Sequence, residues 1–113
     1  AHLIIGDALA VADAGCFAVV LEAVPRELAA LITEKIRIPT IGIGAGPDCD
    51  GQILVLHDVL GLSERTPRFV KTWADISGQV VEALEAYRKE VSSGSFPDDS
   101  HSFHMDKSIL EDL

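Results

Sequence analysis

Three short apolar runs constrain this chain more than anything else in it: residues 17–23, residues 40–43 and residues 52–56. None alternates polar and apolar residues, as a strand with one wet face does. Each is bounded by glycine, proline or a polar pair. That pattern reads as strands buried on both faces, the signature of a parallel sheet with helices packed on it. The intervening segments fit. Residues 3–14 carry Ile5, Leu9 and Ala12 at helical spacing, with Gly15 just beyond as a stop. Pro25 suits a first helical position and Glu27 a first turn, while Leu28, Leu31 and Ile32 line one face as far as about Lys35 or Ile36. Phe17 to Ile43 is therefore strand–helix–strand with short links, a βαβ unit expected to be parallel and right-handed.

Residues 44–51 form a loop by every breaker rule. The third run ends in His57-Asp58, a polar pair at an expected strand end. A short amphipathic helix is expected from Pro67 to Ala74, around Phe69, Val70 and Trp73. The longest helix is expected from Ser77 to Val91, with Val80, Val81, Leu84, Tyr87 and Val91 along one side and Gly94 as its stop. From Ser95 the chain turns polar, then acidic with Ile109, Leu110 and Leu113 interspersed; residues 95–113 are expected to be a mobile tail or a short docking helix. Three parallel strands make an open arc with two apolar edges, a pairing hazard if left bare. The fold class is thus α/β, with residues 1–94 reading as part of a larger parallel sheet. A (βα)₈ TIM barrel of about 250 residues is the natural whole.

The 113 residues suffice for one domain, and 48% apolar content argues against disorder. A net charge of −9 without a basic face excludes nucleic acid and anionic membrane as expected partners. No run approaches the ~18 apolar residues of a membrane span. His2-Leu3-Ile4-Ile5-Gly6-Asp7 has neither the basic stretch nor the cleavage motif of a signal peptide. Cys16 and Cys49 lack metal-type spacing and read as reduced residues of a cytoplasmic protein.

Glu22 is the strongest candidate for chemistry. It stands where the first strand delivers its C-terminal end, the end that faces the active site in folds of this class. Burying a carboxylate costs several kcal/mol, roughly, unless it is paired or neutralised. If a site closes over substrate, burial outweighs the opposing pull of the helix N-terminus at Pro25, and such an acid becomes a general base poised nearer neutrality. The plainer alternative is a Glu paired with Arg26 or exposed at the strand end. Gly42-Ile43-Gly44-Ala45-Gly46 lacks the third glycine and the following helix of a dinucleotide fingerprint, so it reads as close backbone packing at a strand end. Asp48-Cys49-Asp50-Gly51 has no closing Glu and reads as a turn rather than a calcium loop. His57-Asp58 reads as a satisfied loop pair, and His101 with His104 as surface residues rather than metal ligands.

Four blocks carry a resemblance. They are Val20-Leu21-Glu22-Ala23-Val24-Pro25, residues 38–46 (Ile-Pro-Thr-Ile-Gly-Ile-Gly-Ala-Gly), residues 50–58 (Asp-Gly-Gln-Ile-Leu-Val-Leu-His-Asp) and His101-Ser102-Phe103-His104. In that order and spacing the chain resembles ketopantoate hydroxymethyltransferase, over roughly residues 3–104. The resemblance implies the last three strands and helices of a (βα)₈ barrel that assembles as a homo-oligomer, a decamer. It implies transfer of a one-carbon unit from 5,10-methylenetetrahydrofolate to 3-methyl-2-oxobutanoate, giving 2-dehydropantoate on the pantothenate route. It also implies Mg²⁺ to hold the keto acid, and Glu22 as the catalytic acid/base. The family's metal ligands, with its further keto-acid contacts on a Ser, an Asp and a Lys, belong to the first half of the barrel. No position here matches them, and Asp48, Asp50 and Asp58 are not expected to take their place.

Three readings follow for the chain. It is a segment of an enzyme that needs the N-terminal barrel half, a half-barrel without catalysis that binds or assembles, or a duplicated relic. A convincing Mg²⁺ carboxylate cluster separates them, since an enzyme of this kind needs one and this chain carries none of its own.

Overall fold

The structure is a computed structural model; it describes residues 1–111, with side chains through residue 109. Two compact units divide the chain, Ala1–Asp75 and Ile76–Leu113.

The first unit holds a three-stranded parallel sheet in the order β1-β2-β3. Helix α1 spans His2–Asp13 and is followed by β1 at Val19–Glu22, α2 at Arg26–Lys35, β2 at Thr40–Ile43 and β3 at Gly51–Gln52. The pairing of β1 with β2 runs Val19↔Thr40 to Glu22↔Ile43. Pro25 sits one residue earlier than a first helical position. It is the cap of α2, and its carbonyl accepts from the Leu28 and Ala29 amides.

The helices cover one face of the sheet. Leu21 packs with Ala8 of α1 and with Ala29 and Ile32 of α2, and Val19 joins the edge of this cluster. The alternate residues Val20 and Glu22 are exposed, Val20 at 58%. The expectation of strands buried on both faces is therefore corrected. One face is covered by the chain's own helices, and Val20, Ile53 and Val55 remain over half exposed.

No helix links β2 to β3. The crossover of residues 44–50 runs back past β2, with Ala45 fully buried. Gly42 makes room for it: a Cβ there would lie 3.0 Å from Cys49 Sγ. The return is pinned at its end. The Asp50 carboxylate accepts the Thr40 amide at 2.8 Å, and the Asp50 amide donates to Thr40 Oγ1 at 3.1 Å.

The third strand is shorter than the apolar run suggests. Gly51 pairs with Ile41 and Gln52 with Gly42, and the Ile53 amide donates to Gly42 O. Because β2 ends at Ile43, residues 54–55 run past their ladder partner. Residues Leu56–Val59 then form helix α3, so His57-Asp58 is helical rather than the end of a strand. The expected helix from Pro67 to Ala74 is also absent. One turn closes, Val70 N–H to Pro67 O, and the Trp73 amide donates instead to Val59 O. A first helical turn fixes several residues for one hydrogen bond, and here a tertiary bond takes the donor that would extend it.

The second unit is α4 at Ile76–Ser93, a 3₁₀ turn at Asp99–His101 and α5 at Lys107–Glu111. Val80, Val81, Leu84, Tyr87 and Val91 are all exposed. After Gly94 the chain folds back: the Ser95 and Phe96 amides donate to Glu90 O, and the Phe96 ring packs edge-on against Tyr87 at 6.0 Å. The tail thus carries a short helix; the side chain of Leu110 and all of Leu113 lie outside the described residues. No helix among the described residues is long and apolar enough to cross a membrane.

Candidate functional site

Parallel strands deliver their C-terminal ends to one rim, and two surfaces of the first unit meet there. Glu22 is the last residue of β1, opposite Ile43. Its parity puts it with Val20 on the face that the helices leave bare. It makes no hydrogen bond or ion pair among the described residues. It lines a groove of ≈ 330 Å³ along the free edge of β1, together with Ile4, Asp7 and Val11 of α1.

The backbone beside Glu22 is unusual. Ala23 has φ +52°, in the left-handed region that a side chain disfavours by about 1–3 kcal/mol. Its amide still donates to Ile43 O at 2.9 Å, so the ladder holds one residue past Glu22 before the chain swings out. That swing sends Val24 and Pro25 toward α2 and leaves the Glu22 carboxylate at the rim.

The second surface is a cleft of ≈ 1190 Å³ walled by Ala23, Pro25, Arg26, Gly44, Arg68 and Phe69, among others. Its loops interlock. Arg26 Nε donates to Asp48 Oδ2 at 2.9 Å, and Gln52 Nε2 donates to Gly46 O at 2.8 Å. Gly44, with φ +67°, lies under the Phe69 ring so closely that a Cβ would fall 2.5 Å from Cδ1. The close-packing reading of the glycine run thus holds at Gly42 and Gly44.

Several of the remaining candidates have local partners, while no partner is seen for the His57 ring among the described residues. Arg26 is paired with Asp48, which removes it as a partner for Glu22. Asp50 is tied to Thr40, and Asp58, nearly buried, accepts from Ser63 Oγ. His101 Nδ1 lies 2.7 Å from Asp98 Oδ1, and His104 Nε2 3.1 Å from Asp99 Oδ1; all four side chains are exposed. Cys16 and Cys49 are both free thiols. Among the described residues no three His, Cys, Asp or Glu side chains gather as a metal site. The residues present therefore do not fit a bound Mg²⁺, which needs several oxygen ligands in a near-octahedral set.

Sequence reasoning missed Arg68 and Phe69 as part of this rim. They lie in a segment read as a short amphipathic helix, and no local pattern shows that the chain from α3 returns to Gly44.

The family described as ketopantoate hydroxymethyltransferase matches residues 1–99. A 3-methyl-2-oxobutanoate hydroxymethyltransferase of Syntrophobacter fumaroxidans is 56% identical over 106 residues, 93% of this chain and 38% of that protein. Proteins of the same name from Carboxydothermus hydrogenoformans and Trichlorobacter lovleyi are 56% and 58% identical, over 98% and 91% of this chain and 41% and 39% of their own lengths. The chain spans about two-fifths of the length of the curated relatives it matches. A match over so much of this sequence, at more than half identity, makes the chain a member of the ketopantoate hydroxymethyltransferase family.

Proposed function

We propose that this chain is the C-terminal part of a (βα)₈ barrel that transfers a hydroxymethyl group from 5,10-methylenetetrahydrofolate to 3-methyl-2-oxobutanoate, giving 2-dehydropantoate. Residues 1–94 supply the last three strands with their helices, and residues 95–113 a tail. The rest of the barrel comes from the same precursor or from another chain, and the assembly is a cytoplasmic homo-oligomer. Support comes from the bare face and the free β1 edge. Val20, Ile53 and Val55 expose apolar surface where further strands of a barrel would cover it. The alternative, a half-barrel that only binds or assembles, leaves the unpartnered carboxylate at the rim without a use.

The single observation that carries the reading is Glu22 itself: an acid without a partner, on the open face, at the C-terminal end of a parallel strand. In the reaction it removes the proton at C3 of the keto acid. The electron pair left on C3, delocalised into the adjacent carbonyl, forms the bond to the one-carbon unit. Water supplies the hydroxyl oxygen and tetrahydrofolate departs. A second role for the same acid is to protonate the folate nitrogen as that carbon leaves. The described residues gather no cluster of Mg²⁺ ligands, so the metal would be held by the rest of the barrel. Glu22→Gln, made in the native protein with any partner chain it requires, is expected to lower turnover about 10²–10⁴-fold. Full activity in that variant would reject the assignment.

A further inference from the structure

The cleft at the rim carries a charge that the fold does not use. Of its two guanidinium groups, Arg26 is neutralised by Asp48 at 2.9 Å. Arg68, in the same cleft, has no hydrogen bond or ion pair among the described residues; Glu27, a carboxylate that also lines the cleft, forms no ion pair with it. Next to Arg68 the Phe69 ring is held against the bare backbone of Gly44, where any Cβ would collide with it. One neighbour is thus a fixed planar apolar surface and the other a free cation with a geometry suited to carboxylates. The flat Phe69 wall beside a cation matches a ligand that carries both a ring and a carboxylate, which a branched five-carbon keto acid does not. We propose that this cleft seats the carboxylate-bearing tail of the folate co-substrate, with Arg68 as its anion-binding residue and the Phe69 ring as a stacking wall. The proposal rests on the reaction given above and adds where its larger substrate lies. An exposed guanidinium at the lip suits a tail that trails to solvent while the reactive end reaches inward.

The test uses the native protein with any partner chain it requires, and compares wild type, Arg68→Ala and Arg68→Lys. The probes are tetrahydrofolate in a direct binding titration, and 5,10-methylenetetrahydrofolate and 3-methyl-2-oxobutanoate in steady-state kinetics. Arg68→Ala is expected to weaken tetrahydrofolate binding and raise the folate KM about ten- to hundredfold, the loss of a hydrogen-bonded charge pair. The kcat and the keto-acid KM stay within about twofold, and Arg68→Lys recovers part of the loss. A rise in the keto-acid KM alone would assign the cleft to the other carboxylate and overturn the proposal. No change in either would remove Arg68 from binding. If the reaction itself is misassigned, wild type fails to transfer the one-carbon unit at all, a result separate from any Arg68 effect.

Discussion

Thr40 and Asp50 hold each other across the return of the chain beneath β2. The Asp50 carboxylate accepts the Thr40 amide at 2.8 Å and lies 3.1 Å from its hydroxyl, while the Asp50 amide donates back to that hydroxyl at 3.1 Å. Thr33 Oγ1 extends the group, 2.8 Å from Thr40 Oγ1 and 2.9 Å from the Ala29 carbonyl. Thr40 is fully buried, so its amide has no recourse to water if Asp50 is lost. Asp50→Ala is expected to destabilise the protein by about 1–3 kcal/mol, the penalty for an orphaned buried donor. Urea denaturation measures it; an unchanged midpoint would show that the return loop is held by other contacts.

Gly44 tests the wall of the cleft. An Ala at this position meets both an unfavourable φ of +67° and a Phe69 Cδ1 atom 2.5 Å away. The ring must move or the backbone must shift, at a cost of about 1–3 kcal/mol. Denaturation of Gly44→Ala beside Gly44→Ala/Phe69→Ala separates the two causes. Removing the ring should recover only the steric part of the loss.

Fold class was legible in the chain because it is written locally. The run Phe17–Ala23, Pro25 and the Leu28/Leu31/Ile32 face specify strand, helix start and helix face within a few residues of one another, and the parallel β1–α2–β2 unit follows. Where the sequence misled, a distant partner decided. The run 52–56 is apolar throughout, yet its strand stops when β2 runs out, and Leu56 enters a helix. Phe69, Val70 and Trp73 have helical spacing, yet the Trp73 amide bonds to Val59. Glu22 was legible as a candidate because a lone acid in an apolar run is anomalous in itself, and the structure puts it at the end of β1 on the bare face. Arg68 was not, because an arginine among surface residues carries no local signal.

Asp98 gives a pH dependence whose sign is fixed by its partners. The Ser100 hydroxyl first, then the His101 ring and the local amides, hold the Asp98 carboxyl below its ordinary value of 3.8. A folded-state value below the unfolded one adds stability that is present above the unfolded value and is lost as pH falls through the folded one. The turn at Asp99–His101 should therefore persist as pH drops to 3.8 and loosen only below it. Carboxyl NMR should find the Asp98 midpoint below 3.8, moving up toward it in Ser100→Ala. A midpoint at the ordinary value in the unaltered chain would contradict the hydrogen bonds at this turn.

The bare sheet face predicts behaviour of residues 1–113 expressed alone. With Val20, Ile53 and Val55 more than half exposed along an arc whose edge strands are unpaired, the polypeptide should self-associate. Sedimentation over a range of concentrations should show mass increasing with concentration. A well-folded monomer at every concentration would argue against a missing barrel wall.

Proton transfer by Glu22 is tested most directly by following hydrogen exchange at C3 of 3-methyl-2-oxobutanoate in deuterated water, in the native protein with any partner chain it requires. The assigned role predicts that the unaltered protein incorporates deuterium at C3, and that Glu22→Gln slows this by about 10²-fold or more while still binding the keto acid. Exchange at an undiminished rate in Glu22→Gln would place the base elsewhere and contradict the proposed site.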